Sequence, residues 1–169
     1  MSKKRKALAC VRLCATFILI GSYHPSVHAQ SIVLRDLSLI DKPEIASMDI
    51  DHLTLSDGRS FPWSIILQGT LGNEQESFDK FLRELGTPLF RIESRLAAGN
   101  YDSLQPMTDQ LLKRAAKTNG RSRYIACAAS FHDRLNQGKR EAASVPIIQI
   151  LRMREQHPEL KALDDRLGL

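Results

Sequence analysis

Leu71-Gly72-Asn73-Glu74-Gln75-Glu76-Ser77-Phe78-Asp79-Lys80-Phe81-Leu82-Arg83-Glu84-Leu85-Gly86 is where the chain turns from strand-like to helix-like patterning. Phe78, Phe81, Leu82 and Leu85 recur at i, i+3, i+4 and i+7, which places them on one face of a helix. Asn73 and Glu76 stand in capping-box spacing ahead of that face, and Gly86 comes after it as a stop signal. A first helix is therefore predicted here, with strands before it and helices after it.

Upstream, from Ser31 to Leu71, β-branched and aliphatic residues are broken by Asp41-Lys42-Pro43 and by Asp57-Gly58, the pattern of short strands and turns. The stretch 53–63, Leu53-Thr54-Leu55-Ser56-Asp57-Gly58-Arg59-Ser60-Phe61-Pro62-Trp63, reads as a hairpin closed at Asp-Gly. A two-residue turn would scatter its apolar side chains over both faces. A type I turn with Gly58 left-handed in a G1 bulge pairs Leu55 with Arg59 and Leu53 with Phe61. That register gathers Leu53, Leu55, Phe61 and Trp63 on one face, so the bulged hairpin is predicted and Trp63 is read as core.

Downstream, five or six helices are expected. Thr87-Pro88 reads as an N-cap with proline at the first helical position, with Leu89, Ile92 and Leu96 inward and Gly99 as the end. A third helix over 102–117 turns Leu104, Met107, Leu111 and Ala115 inward, with Pro106 tolerated near its first turn. A fourth over 121–137 presents Tyr124, Ala128, Phe131 and Leu135 on one face and stops at Gly138. The fifth carries Ile147, Ile150 and Leu151, and Pro146 either kinks it or marks a start at Ser144. A short last helix after His157-Pro158 buries Leu160, Leu163 and Leu167. The expected fold class is α+β, mainly α. A small antiparallel β region, 30–72, precedes a repeat-like bundle of antiparallel helices, 73–169, in one compact unit.

The amino terminus reads as a secretory signal peptide over 1–29: Lys3-Lys4-Arg5-Lys6, an apolar run from Leu13 to Gly21, and Val27-His28-Ala29 before the cut. Arg12 leaves the apolar run short of the roughly 20 residues of a membrane span. Cleavage, with Gln30 first in the mature chain, is preferred to an uncleaved anchor. Cys10 and Cys14 lie before or within that run, where a lipidated cysteine would come after it. An exported protein, periplasmic or secreted, with no stable membrane span is expected.

The formal charge of +5 belongs to this leader, because residues 1–29 hold five of the chain's 24 Lys and Arg and no acid. The remaining 19 cations face 19 Asp and Glu, which removes the main support for nucleic-acid binding. Residues 30–90 carry −5 and residues 91–169 carry +5, a weak pointer to interaction, either between the halves or with separate partners. Cys127 is the single cysteine left after processing, so the mature fold rests on its core without a disulfide.

Arg95-Leu96-x-x-Gly99 matches Arg134-Leu135-x-x-Gly138, and Leu111-Leu112-Lys113 matches Ile150-Leu151-Arg152, both at an offset of 39 residues. Two copies of a helical hairpin are implied. Gly99-Asn100-Tyr101-Asp102-Ser103-Leu104 resembles the Gly-x-Tyr turn of tetratricopeptide-type repeats, and the offset lies near that family's period. The second copy has Gly138-Lys139-Arg140 at this place. The resemblance implies antiparallel helix pairs in a right-handed array whose concave face binds peptides or proteins, and it carries over no catalytic residue.

Candidate chemistry is sparse. Cys127 lies among Ala126, Ala128 and Ala129, which suits close helix packing. His132 and Asp133 are helix neighbours about 100° apart and read as surface residues. Asp49-Ile50-Asp51-His52 offers two carboxylates on one strand face with a histidine opposite, a possible start of a divalent-metal site. It lacks the further ligands of an EF-hand loop and the Thr of an aspartyl phosphotransferase motif, whose place Leu53 takes. Gly-rich phosphate loops, Cys-x-x-Cys and His-Glu-x-x-His are absent from the sequence. No cofactor, metal or catalytic residue is assigned, and the function expected is a non-catalytic interaction or scaffold module of the bacterial cell envelope with a protein partner. The alternative is a small hydrolase or metal-dependent enzyme using Asp49, Asp51 and His52.

Overall fold

The computed structural model describes residues 30–169. The predicted signal peptide, with Cys10 and Cys14, lies outside the described residues. The fold is α+β and mainly α. Two antiparallel three-stranded sheets come first, built from β1 (Ser31–Leu34), β2 (Leu39–Asp41), β3 (Ile45–Met48), β4 (His52–Leu55), β5 (Ser60–Pro62) and β6 (Ile66–Thr70), in the orders β2-β1-β6 and β3-β4-β5.

The β4–β5 hairpin has the bulged register. Leu53 pairs with Phe61 and Thr54 with Ser60, the Leu55 N–H donates to the Arg59 carbonyl, and Gly58 sits at φ +86°. A β-branched side chain is costly at that φ. Leu53, Leu55 and Trp63 are buried with Phe61 packed against them, as the period-2 argument requires. Trp63 begins a single 3₁₀ turn, Trp63–Ile65, stacks on Phe81 at 5.1 Å and tilts against Phe78 at 5.9 Å. It thereby joins the β layer to the helices in one continuous core from Ile32 to Leu167.

The helices are α1 (Gln75–Phe81), α2 (Thr87–Ala97), α3 (Gln105–Arg114), α4 (Arg121–Asn136), α5 (Arg140–Gln156) and α6 (Asp164–Leu167). Gly86 does not stop the first helix, and Thr87 is no N-cap. A π-helical segment, Leu82–Gly86, runs α1 into α2 without a break, with the Thr87 N–H donating to the Leu82 carbonyl five residues back. The wider turn accommodates Pro88, which lacks an N–H and would crowd a regular α-helix. Gly86 is fixed by contact instead: a Cβ there would fall 3.0 Å from the Trp63 carbonyl oxygen and 2.7 Å from Leu82 Cδ1.

The capping box at Asn73 and Glu76 is also replaced. Glu74 occupies the N-cap without a side-chain bond, and Gln75 reaches back to accept from the Leu71 N–H and donate to the Gly69 carbonyl. The competing signal is β6, whose last backbone groups Gln75 satisfies. α3 starts at Gln105 and not 102, because Ser103 takes a left-handed conformation at φ +53°.

The inward stripe expected for α4 is too narrow. Every residue from Tyr124 to Ser130 is buried, while Phe131 is partly exposed and Leu135 exposed. α4 is the central helix, contacted by α5, α3, α2 and α6. His132 and Asp133, expected at the surface, are 8% and 6% exposed. α5 begins at Arg140 and contains Pro146, whose missing N–H leaves the Ala142 carbonyl without its helical donor; Arg134 Nη1 supplies one at 2.5 Å. Ile150 is buried as expected, but Leu151 is exposed.

At the carboxyl end Leu160, Leu163 and Leu167 are buried as the pattern predicted. α2 and α4 end in matching Schellman-type caps at the offset of the sequence repeat: Gly99 and Asn100 donate to the Leu96 and Arg95 carbonyls, as Gly138 and Lys139 donate to those of Leu135 and Arg134.

Candidate functional site

Asp49, Asp51 and His52 sit at the turn between β3 and β4, with only His52 in a strand, in place of the strand-face arrangement expected. Asp49 Oδ1 accepts from the backbone N–H groups of Asp51 and His52 at 2.7 and 2.8 Å, closing the turn. The Asp51 carboxylate crosses to the start of α4, where Oδ1 accepts from the Ser122 N–H at 2.6 Å; Ser122 Oγ donates to the Ile50 carbonyl. A carboxylate at a helix N-terminus satisfies an orphan donor and complements the helix dipole. These residues thus clamp the β layer to α4. Among the described residues no group of three or more His, Cys, Asp and Glu side chains is placed to hold a metal ion.

A different set is brought together beside α4. The i, i+4, i+3 row Arg123, Cys127, Ser130, Arg134, Gln137 forms the floor of a groove. Its walls are α3 (Gln105, Thr108, Asp109, Leu112), with Ala116 in the 3₁₀ turn that follows it, and α5 (Ala142, Val145, Pro146, Gln149). Two clefts, of about 370 and 220 Å³, share Ser130, Arg134 and Val145 and so lie side by side along α4. From Arg123 to Gln137 the floor runs about 21 Å at 1.5 Å per helical residue, the reach of about six residues of extended chain.

The two ends differ in charge. At one end Arg123 caps the close of α3, donating to the carbonyls of Ala116 and Thr118. Cys127 Sγ donates to Gln149 Oε1 at 3.2 Å, and burial pushes its thiol up to about 11, so the group stays protonated and unreactive. At the other end Asp133 and Asp109 line the larger cleft together with Arg134 and Lys139, which balance their charge, and with Gln105, Thr108 and Gln137. Burial, reinforced by Asp109, raises the Asp133 carboxyl above the usual range, while Lys139 and Arg134 act against that rise. Asp133 Oδ2 accepts from Gln137 Nε2 at 2.7 Å, and no cation lies within salt-bridge distance of it among the described residues.

The outer side of α5 continues the groove as an apolar row. Val145, Ile148 and Leu151 recur at three-residue spacing and are 54%, 47% and 49% exposed. Leu37 and Leu39 at the β1–β2 hairpin are also exposed, but no cleft adjoins them among those described. The charge asymmetry between the halves is little used internally: Glu84–Arg114 is the single ion pair crossing residue 90 among the described residues. No described helix is long and apolar enough to cross a membrane.

Sequence reading missed the groove because its residues come from three helices and are individually ordinary. Its one available signal was the polar spacing Arg123, Ser130, Arg134, Gln137, about 100° round the helix from the stripe assigned to the core. No protein family, curated protein or solved structure matches the chain.

Proposed function

We propose that the chain is an exported, non-catalytic protein-interaction module of the bacterial cell envelope that seats a polypeptide segment in the groove between α3, α4 and α5. The observation that carries this reading is the pair of adjoining clefts of about 370 and 220 Å³ bordered by the exposed apolar row of α5. Concave, mixed polar and apolar surfaces between helices are where such modules bind. The leader-like residues 1–29 support export, and the balanced charge of residues 30–169 favours a protein partner over nucleic acid. The likeness of 99–104 to the turn of tetratricopeptide-type repeats agrees with this reading. The Asp49, Asp51 and His52 carboxylate and backbone bonds favour a structural role over the hydrolase or metal alternative.

A photo-crosslinking residue placed at Val145 in the producing cell is expected to give a discrete adduct in the exported fraction, with mature protein beginning at Gln30. The same residue at Glu76 on α1 is expected to give none. Equal adducts at both positions, or none at Val145, would overturn the reading.

A further inference from the structure

The β1–β2 and β4–β5 hairpins close with the same turn. The Leu34 N–H donates to the Ser38 carbonyl and the Leu37 N–H to the Leu34 carbonyl, as Leu55 and Gly58 donate to the carbonyls of Arg59 and Leu55. Gly58 suits the left-handed position at φ +86°, but in the first hairpin that position holds Leu37, at φ +68°. A side chain with a Cβ is strained there, and the strain brings little burial: Leu37 is 77% exposed and Leu39 63%. The tip is nevertheless fixed. Asp36 Oδ1 accepts from the Ser38 N–H and hydroxyl, while Arg35 Nε donates to the Ser64 carbonyl with its Cζ 3.7 Å from the centre of the Phe90 ring. The fold thus gives up stability to hold two leucines in water in one shape.

These two, with Val145, Ile148 and Leu151 on α5, are the five most exposed large apolar side chains among the described residues. They lie on oppositely charged parts of the chain: the hairpin in residues 30–90, which carry −5, and the α5 row in residues 91–169, which carry +5. With Glu84–Arg114 the single ion pair between the two parts among the described residues, that opposition is left for an outside partner. At the tip, Arg35 is turned back onto Phe90 and Lys42 lines a separate cleft with Glu44 and Asp57, so the charges beside Leu37 and Leu39 are Asp36 and Asp41. On α5 the row runs between Arg140 and Arg152, next to Glu141 and Glu155; neither arginine has an ion pair among the described residues.

We infer, resting on the groove reading above, that the partner seated there is a second copy of this chain, whose β1–β2 hairpin lays Leu37 and Leu39 on Val145, Ile148 and Leu151. Hairpin on hairpin, or row on row, would set parts of like charge together; hairpin on row sets opposite charges together. The contact is head-to-tail, so an unused hairpin and an unused row remain at the two ends of every pair, and assembly continues into chains or closes into a ring.

The test is sedimentation of the purified protein across the micromolar range. The native chain is expected to gain mass with concentration beyond a dimer, and to lose that gain as salt is raised. Leu37→Gly combined with Leu39→Ser, and separately Ile148→Arg, are each expected to weaken association by at least about tenfold. All three changes fall on exposed positions and glycine suits the turn, so the fold is retained. Mixing the two weakened variants is expected to restore a dimer and nothing larger, since one intact hairpin and one intact row remain between them. A native chain that stays monomeric, association indifferent to salt, a variant that associates like the native chain, or a mixture without the dimer would each overturn the inference. The crosslink at Val145 separates the two readings. An adduct of twice the chain's mass supports both, an adduct with another protein overturns this inference and leaves the groove reading, and no adduct overturns both.

Discussion

The two flanks of α4 solve the same problem differently. Toward α2 and α6, the buried Glu93 is held between two arginines, and Tyr124 OH donates to Asp164 Oδ1 at 2.5 Å while Arg154 bonds both. Burial and the Asp164 carboxylate raise Tyr124 to about 12, so its proton stays in place at any physiological pH. Toward α3 and α5, Asp133 is as buried as Glu93 but carries no ion pair. The first flank is closed by ion pairs, with Arg121 Nε alone left buried without a partner among the described residues; the second rests on a single amide donor beside a cleft.

The comparison breaks most visibly at Glu93. Glu93→Ala leaves the half-enclosed Arg121 unpaired and is expected to cost about 3 kcal/mol in urea denaturation, with Arg166, more than half exposed, contributing little of it. A loss below about 1 kcal/mol would place the pair in the class of weak surface bridges and remove the contrast.

Acid sharpens it. Burial holds His132 below its ordinary 6.5, where it stacks on Tyr101 at 4.4 Å and bonds the Leu167 carbonyl. The unfolded chain then binds more protons than the folded one, so this contribution, complete above pH 6.5, is lost as pH falls below that value. Asp133, whose carboxyl is raised, acts in the opposite sense: the folded state takes up its proton first and gains stability as pH falls. Thermal midpoints from pH 7 to pH 5 should therefore fall less steeply in His132→Gln than in the native chain, and as pH falls on toward 3.8 they should fall more steeply in Asp133→Asn. Parallel curves for all three would deny both environments.

The smallest effect has the opposite sign to the first. In the absence of any ligand, Asp133→Asn is expected to stabilise the protein slightly at pH 7, by about 0.5 kcal/mol, because a neutral amide replaces a carboxylate whose ionisation is opposed by burial. Destabilisation at pH 7 would show that the carboxylate is already satisfied within the fold.

What could be read from the sequence was whatever local chemistry decides. The bulged hairpin was legible because its register is set by four apolar side chains and one Asp-Gly step. At the carboxyl end the burial of Leu160, Leu163 and Leu167 was legible from their spacing, but not the helix type: Pro158–Leu163 is 3₁₀ and only Asp164–Leu167 is α-helical. Gly86-Thr87-Pro88 misled because stop, cap and proline signals look alike whether a helix ends or widens; what settles the matter is the Trp63 carbonyl, 23 positions upstream of Gly86. His132 and Asp133 misled because α4 is enclosed on several sides, and periodicity detects a helix with one buried face. The groove was the least legible feature, since its lining comes from three helices that meet only in the fold.

The π-helical segment has a consequence best put in the language of insertions and deletions. Each turn of it holds one residue more than an α-turn, so 82–86 amounts to a one-residue insertion stored inside a continuous rod. Removing a single residue there would regularise the rod but rotate α2 by about 100°. Leu89, Ile92 and Leu96 would leave the core, and Glu93 would swing away from Arg121 and Arg166. The segment therefore acts as a phase marker, far more forgiving of a changed side chain than of a changed length.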